Sequence, residues 1–194
     1  SGVTQLFSTG SAFAALKSDG SVITWGHSRY GADSSAVASL LSSGVTQIFS
    51  TGSAFAALKA DGSVISWGDS SSGGRSSAVS SLLSSGVIQI FSTGSAFAAL
   101  KTNGSVVTWG DTTFGGNSSG VASQLASGVT RIVSTLGAFA ALKNDGSLVV
   151  WGDASYGGNK ASVASLLTAG VRDVFTSDAA FAALKNDGSV VTWG

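Results

Sequence analysis

A 26-residue segment ending in Trp-Gly recurs five times in this chain at a fixed interval of 42 residues, and no other feature constrains its fold as tightly. The copies begin at Ser1, Ser43, Ser85, Ser127 and Ala169, without insertion or deletion between them, and Trp25, Trp67, Trp109, Trp151 and Trp193 mark their ends. The 194 residues divide into five cores and four linkers, read as one repeat domain, 1–194, with units 1–42, 43–84, 85–126, 127–168 and 169–194. A unit this short cannot hide its own apolar surface, so the copies must stack on one another.

Each core reads as three short strands. The first, Val3 to Ser8, is apolar on both sides, with Val3 and Phe7 expected on one face and Leu6 on the other, which marks a strand buried from both directions. The second, Ala12 to Lys17, sets Ala12, Ala14 and Leu16 against Phe13 and Ala15. Its small side chains permit close approach of neighbouring sheets. Ser18-Asp19-Gly20 then turns the chain into a third strand, Ser21 to Trp25, because glycine accepts the positive φ that a tight hairpin needs. Copy three uses Asn103-Gly104 for the same turn.

The linker opens with a polar, glycine-bearing loop from His27 to Ala32. Ser34 and Ser35 are placed to cap a short helix over Ala36 to Ser42, with Val37, Leu40 and Leu41 on one side; seven residues leave a fourth strand open as an alternative. Two architectures accommodate such units: a propeller, if rotation about a common axis closes, and an open β-solenoid with polar end caps, if it does not. Copy one keeps Leu6, Phe7 and Phe13 and copy five keeps Val174, Phe175 and Phe181, so neither end carries a polar cap. The expectation is an all-β, five-bladed β-propeller whose first and last blades cover each other, with the open solenoid as the alternative. A closed ring implies a monomer, and five cores that do not close imply an oligomer.

The run Phe-Ala-Ala-Leu-Lys-x-Asp-Gly-Ser-Val-x-x-Trp-Gly, as at residues 13–26, resembles the blade signature of the regulator of chromosome condensation family, an Ala-Leu-Thr-x-x-Gly-x-Val-x-x-Trp-Gly pattern followed by a glycine-bearing loop. The resemblance covers all five cores and implies a β-propeller. Family blades are usually longer and generally carry His where this chain has Phe13, Phe55, Phe97, Phe139 and Phe181. The founding member's guanine-nucleotide exchange relies on an additional β-wedge, for which this chain has no insertion, so the resemblance does not extend to that activity.

Composition narrows the function. Ten basic and ten acidic residues, all of the latter Asp, balance to zero, so no basic stripe is available for a phosphate backbone and no nucleic-acid partner is expected. There is no Cys, hence no disulfide, thiolate nucleophile or zinc–cysteine site, and the single His27 excludes sites needing two imidazoles. No apolar run is long enough to span a bilayer, no leader pattern is visible at the N-terminus, and the lack of Met suggests an excised, processed or engineered piece. The Asp-Gly hairpins lack the alternating acidic ligands of a calcium loop; no cofactor or metal is expected. Asn103-Gly104-Ser105 and Asn117-Ser118-Ser119 match a glycosylation pattern short enough to recur by chance.

What varies between copies is concentrated in the linkers. One position reads Tyr30, Ser72, Phe114 and Tyr156, a second Asp33, Arg75, Asn117 and Asn159, and a third His27, Asp69, Asp111 and Asp153. In a phased repeat these form rings on one rim, where aromatics beside hydrogen-bonding groups suit a binding surface; relaxed constraint on surface loops produces the same divergence. The first two rings are the candidate binding residues. The reading is a non-enzymatic scaffold presenting these loops to a protein or glycan partner, against two alternatives: a structural spacer from a longer tandem array, and a hydrolase acting through rim aspartates.

Overall fold

The computed structural model describes residues 2–194; Ser1, where the first copy begins, lies outside the described residues. Each copy folds into its own three-stranded antiparallel meander: β1 (Val3–Ser8), β2 (Ala12–Lys17) and β3 (Val22–Gly26); β4 (Val45–Ser50), β5 (Ala54–Lys59) and β6 (Val64–Gly68); β7 (Val87–Ser92), β8 (Ala96–Lys101) and β9 (Val106–Gly110); β10 (Val129–Ser134), β11 (Ala138–Lys143) and β12 (Leu148–Gly152); β13 (Val171–Thr176), β14 (Phe181–Lys185) and β15 (Val190–Trp193). The hairpin between β2 and β3 closes with Gly20 N–H donating to the Lys17 carbonyl at 2.9 Å and Gly20 at φ +76°. The Asp19 carboxylate accepts from the Ser21 amide at 2.9 Å and from its hydroxyl at 2.6 Å, which locks the turn.

The first strand departs from simple alternation. The pairing of β1 with β2 slips between Val3 and Gln5, and every copy repeats the bulge. The extra residue reverses which side the following residues face. Val45 and Ile48 therefore share one face of the second sheet and Phe49 takes the other, instead of Val and Phe facing together. The middle strand behaves as the alternation predicts, with Ala54, Ala56 and Leu58 opposite Phe55 and Ala57.

The linkers contain helical turns, 3-10 except for a kinked π turn at Thr112–Gly116 in the third, and no fourth strand among the described residues. In the first, Ser28–Tyr30 and Ser35–Val37 are 3-10, and the Leu41 carbonyl accepts from Val22 N–H at 3.0 Å, so the linker is fastened along the outer strand. The second turn is capped by Asp33, whose Oδ1 accepts from Ser35 N–H at 3.0 Å; Ser34 makes no capping bond and instead meets Thr24 Oγ1 at 3.0 Å.

The five sheets are propeller blades stacked face to face in chain order, β1 on β4, β4 on β7, β7 on β10 and β10 on β13. Each junction is built from equivalent positions of the repeat. Between the first two blades, Phe7, Ala12, Ala14, Leu16 and Val22, with Val37 and Leu41 of the linker, pack on Val45, Ile48, Phe55, Ala57 and Trp67. A chain of hydrogen bonds runs through the loops between first and second strands: Gly10 N–H to Gly52 O, Gly52 to Gly94, Gly94 to Leu136 and Leu136 to Asp178, at 2.8–2.9 Å.

The expected mutual cover of the terminal blades is absent. No bond from Asp178 N–H returns to Gly10 O among the described residues. Leu6 is 64% exposed whereas Ile48 at the equivalent place is 3% exposed, and Val190 is 60% exposed against 6% for Val64. The physical reason lies in the linkers. Every sealed junction is completed by a linker wedged against the following blade, and the four linkers serve the four junctions from first blade to fifth.

Candidate interaction rim

In the first four blades the loop joining the first two strands and the start of the linker lie at one edge, with the hairpin between the second and third strands at the other. A threonine joins the two rim segments: Thr9, Thr51 and Thr93 Oγ1 donate to the carbonyls of Tyr30, Ser72 and Phe114 at 3.0 Å, and Thr135 to that of Tyr156 at 2.8 Å. These threonines were not singled out from sequence, although their recurrence inside otherwise plain loops was the available signal. Each fixes the backbone of one residue in the first candidate ring.

The side chains of that ring are half-buried. Tyr30, Phe114 and Tyr156 lean on the inter-blade cores while keeping an exposed side, and Ser72 fills the same place without an aromatic. Phe114 and Tyr156 belong to successive linkers yet meet, ring centroids 6.1 Å apart at 39°. In the second ring Asp33, Asn117 and Asn159 are exposed, and each uses Oδ1 to accept the amide two residues on, Ser35, Ser119 and Ala161, at 2.9–3.0 Å. Arg75 is exposed and carries the one full positive charge of that ring.

The third ring is turn chemistry. Asp69, Asp111 and Asp153 Oδ1 accept from the amides of Ser71, Thr113 and Ser155 at 2.7–2.9 Å, capping the first linker turn. His27 makes no such cap and stands edge-on to Tyr30 with centroids 4.9 Å apart. Asp69 also holds the Arg29 guanidinium at 2.5 Å, tying two neighbouring linkers. The Ser71 hydroxyl first, and Arg29 after it, hold the Asp69 carboxyl down at about 2. Ser28, Arg29, Asp33, Gly68, Asp69 and Ser70 border an open cleft of about 450 Å³ there. Among the described residues no three of His, Cys, Asp or Glu gather in one place.

The tryptophans fill the junctions. Trp67 stacks on Phe55 with centroids 5.2 Å apart, and Trp109, Trp151 and Trp193 repeat this on Phe97, Phe139 and Phe181. All four are buried, whereas Trp25 is 44% exposed.

No protein-family pattern matches the sequence. No curated protein matches it in sequence. Solved structures do match, over nearly the whole chain. Human WBSCR16 superposes with a TM-score of 0.58 at 17% identity, covering 99% of this chain and 61% of its own. Prp20p of Saccharomyces cerevisiae, the yeast RCC1, superposes at 0.59 and 17%, covering 98% and 56%. The CRINKLY WD40 ectodomain of the Arabidopsis thaliana receptor kinase ACR4 superposes at 0.53 and 16%, covering 99% and 65%. The chain spans under two thirds of each of these proteins. Its fold is a β-propeller with five blades, of the propeller kind also found in the regulator of chromosome condensation.

Proposed function

We propose that residues 1–194 act as one non-catalytic interaction module that presents the linker rim to a protein partner. The observation that carries this reading is the Phe114–Tyr156 pair: two half-exposed aromatics from successive linkers, with exposed Asn117 and Asn159 three residues beyond each. Aromatic faces beside amides are the ingredients of a protein-recognition surface. The backbone beneath is already ordered by the threonine and aspartate bonds, so little ordering entropy is lost on docking. Described partners of the yeast propeller, Gsp1p, histones and Kap60, are proteins, which supports this class of partner. The rim aspartates are each committed to a backbone turn, an arrangement that favours scaffold over hydrolase.

Retention on a peptide array should fall in Phe114→Ser/Tyr156→Ser, a change the skeleton tolerates because Ser72 already occupies that place in the second blade. Unchanged retention, with the circular dichroism spectrum intact, refutes the rim as the contact surface.

A further inference from the structure

We propose that the open faces of the first and fifth blades dock on each other between two copies of this chain, head to tail. On the first blade, Val3, Leu6, Phe13, Ile23 and Trp25 lie exposed together on one sheet face. Their counterparts on the second blade, Val45, Ile48, Phe55, Ile65 and Trp67, are the residues that pack against the preceding blade. On the fifth blade, Phe175 and Val190 are exposed above half-buried Ala180, Ala182 and Leu184, and that face contains a hollow of about 270 Å³ bordered by Phe175, Ala180, Phe181, Ala182 and Thr192. Its counterparts on the second blade, Phe49, Ala54, Ala56, Leu58 and Val64, pack against the following blade.

The two open surfaces are thus the two halves of an interface that the chain builds four times within itself. Their backbones match as well: among the described residues, Asp178 N–H and Gly10 C=O are the two ends of the inter-blade hydrogen-bond chain. Contiguous apolar surface of this kind marks an interaction site. Its best complement is the repeat that already fits it, and both halves are present on every copy. A two-fold pairing would set like against like, Trp25 against Trp25, whereas head-to-tail docking reproduces the internal geometry. Such a heterologous contact closes into a ring or extends, according to the rotation at each junction. No linker reaches across it, so Trp25 and Lys17 gain no linker carbonyls of the kind that Trp67 and Lys59 bond, Gly31 O and Leu40 O. The contact is therefore weaker than an internal junction and depends on concentration.

Analytical ultracentrifugation of the 194-residue protein from about 1 µM to about 1 mM tests this. Mass should rise with concentration in whole multiples of the chain. Leu6→Asp, on the first face, and Val190→Asp, on the last, should each give monomers with unchanged β-sheet spectra, since both residues are already exposed; should either lose its spectrum, Ile23→Lys and Phe175→Ser replace them. Mixing the two variants should restore a dimer, because each lends its intact face. A wild-type monomer throughout the range, an oligomer that survives either variant, or mixed variants that stay monomeric each overturns the proposal. The rim reading is unaffected by any of these results.

Discussion

The indole Nε1 of Trp67 donates a 2.9 Å hydrogen bond to the carbonyl oxygen of Gly31, 36 residues earlier, in the linker of the preceding blade. Trp109, Trp151 and Trp193 do the same to Gly73, Gly115 and Gly157 at 3.0 Å. The bond makes each linker part of the next blade's core, and it explains why the repeat ends in an aromatic with a donor at its tip instead of in Phe. Trp67→Phe should destabilise the protein by about 2–4 kcal/mol, combining an orphaned buried carbonyl with a partly emptied pocket. Trp25→Phe should cost under about 1 kcal/mol, since its ring is exposed and its nitrogen bonds no linker carbonyl. Urea melts followed by circular dichroism separate the two; equal losses would mean that the indole bond contributes nothing.

Gly31 is held just as tightly from the other side. Its φ is +106°, and a Cβ there would sit 2.6 Å from the Phe55 ring. Gly31→Ala combines backbone strain with overpacking and should cost about 2–4 kcal/mol. Gly120 provides the contrast: it lies in a 3-10 turn with open space around it, where Ala36 and Ala78 stand in the first two linkers. Gly120→Ala should raise stability by about 0.4–1 kcal/mol by restricting the unfolded chain. Thermal melts of the two single variants should therefore move in opposite directions.

The second blade carries a small defect. Thr24 Oγ1 donates to Ala32 O at 2.7 Å and Thr108 Oγ1 to Gly116 O at 3.1 Å, but Ser66 Oγ at the equivalent place is buried without a partner among the described residues. Ser66→Thr stiffens χ1 and brings the hydroxyl into the arrangement of its neighbours. A gain of about 0.5–1.5 kcal/mol is expected in the urea midpoint. A neutral or negative change would show that the serine hydroxyl is already satisfied in solution.

The 42-residue period and the two-residue alternation of the middle strand made the strands and their order legible, because both are written in side-chain type. The facing of Val3 and Phe7 was not legible, since the bulge after Val3 is a property of the backbone pairing with Lys17 and Leu16. The cap at Asp33 was displaced to Ser34 for a similar reason: both residues favour turns, and only the geometry shows that Ser34 is engaged with Thr24. A pair of substitutions in the fourth copy was visible but unreadable. Val150 and Lys160 replace the Thr24–Ser34 pair, and the Lys160 ammonium instead reaches the Leu148 carbonyl, its pKa lowered by burial. Mutual cover of the end blades was inferred from apolar content alone, which reports that a face needs a partner without reporting where that partner is. The rim rings followed directly from the phase of the repeat; the capping role of Asp69, Asp111 and Asp153 needed the folded turn.

Acid should unfold this protein through its hairpins. Hydrogen bonds from the Ser21 hydroxyl and amide, and then from Lys17, hold Asp19 down at about 2, and serine bonds likewise lower Asp61, Asp145 and Asp187. A carboxylate whose folded pKa lies below its ordinary 3.8 binds its proton more readily in the unfolded chain. The stabilisation is therefore complete above the ordinary carboxylate range and is lost as pH falls from about 4 towards about 2. The melting temperature should decline across that window. Copy three supplies the control, because Asn103 Oδ1 accepts from the Ser105 amide at 3.0 Å and hydroxyl at 2.7 Å, making the same turn without a charge. The combined variant Asp19→Asn, Asp61→Asn, Asp145→Asn and Asp187→Asn should fold at neutral pH and show a markedly shallower decline below pH 4, with Asp69 and Asp33, also lowered, accounting for what remains. A decline as steep as that of the parent would place the acid sensitivity elsewhere than in the hairpins.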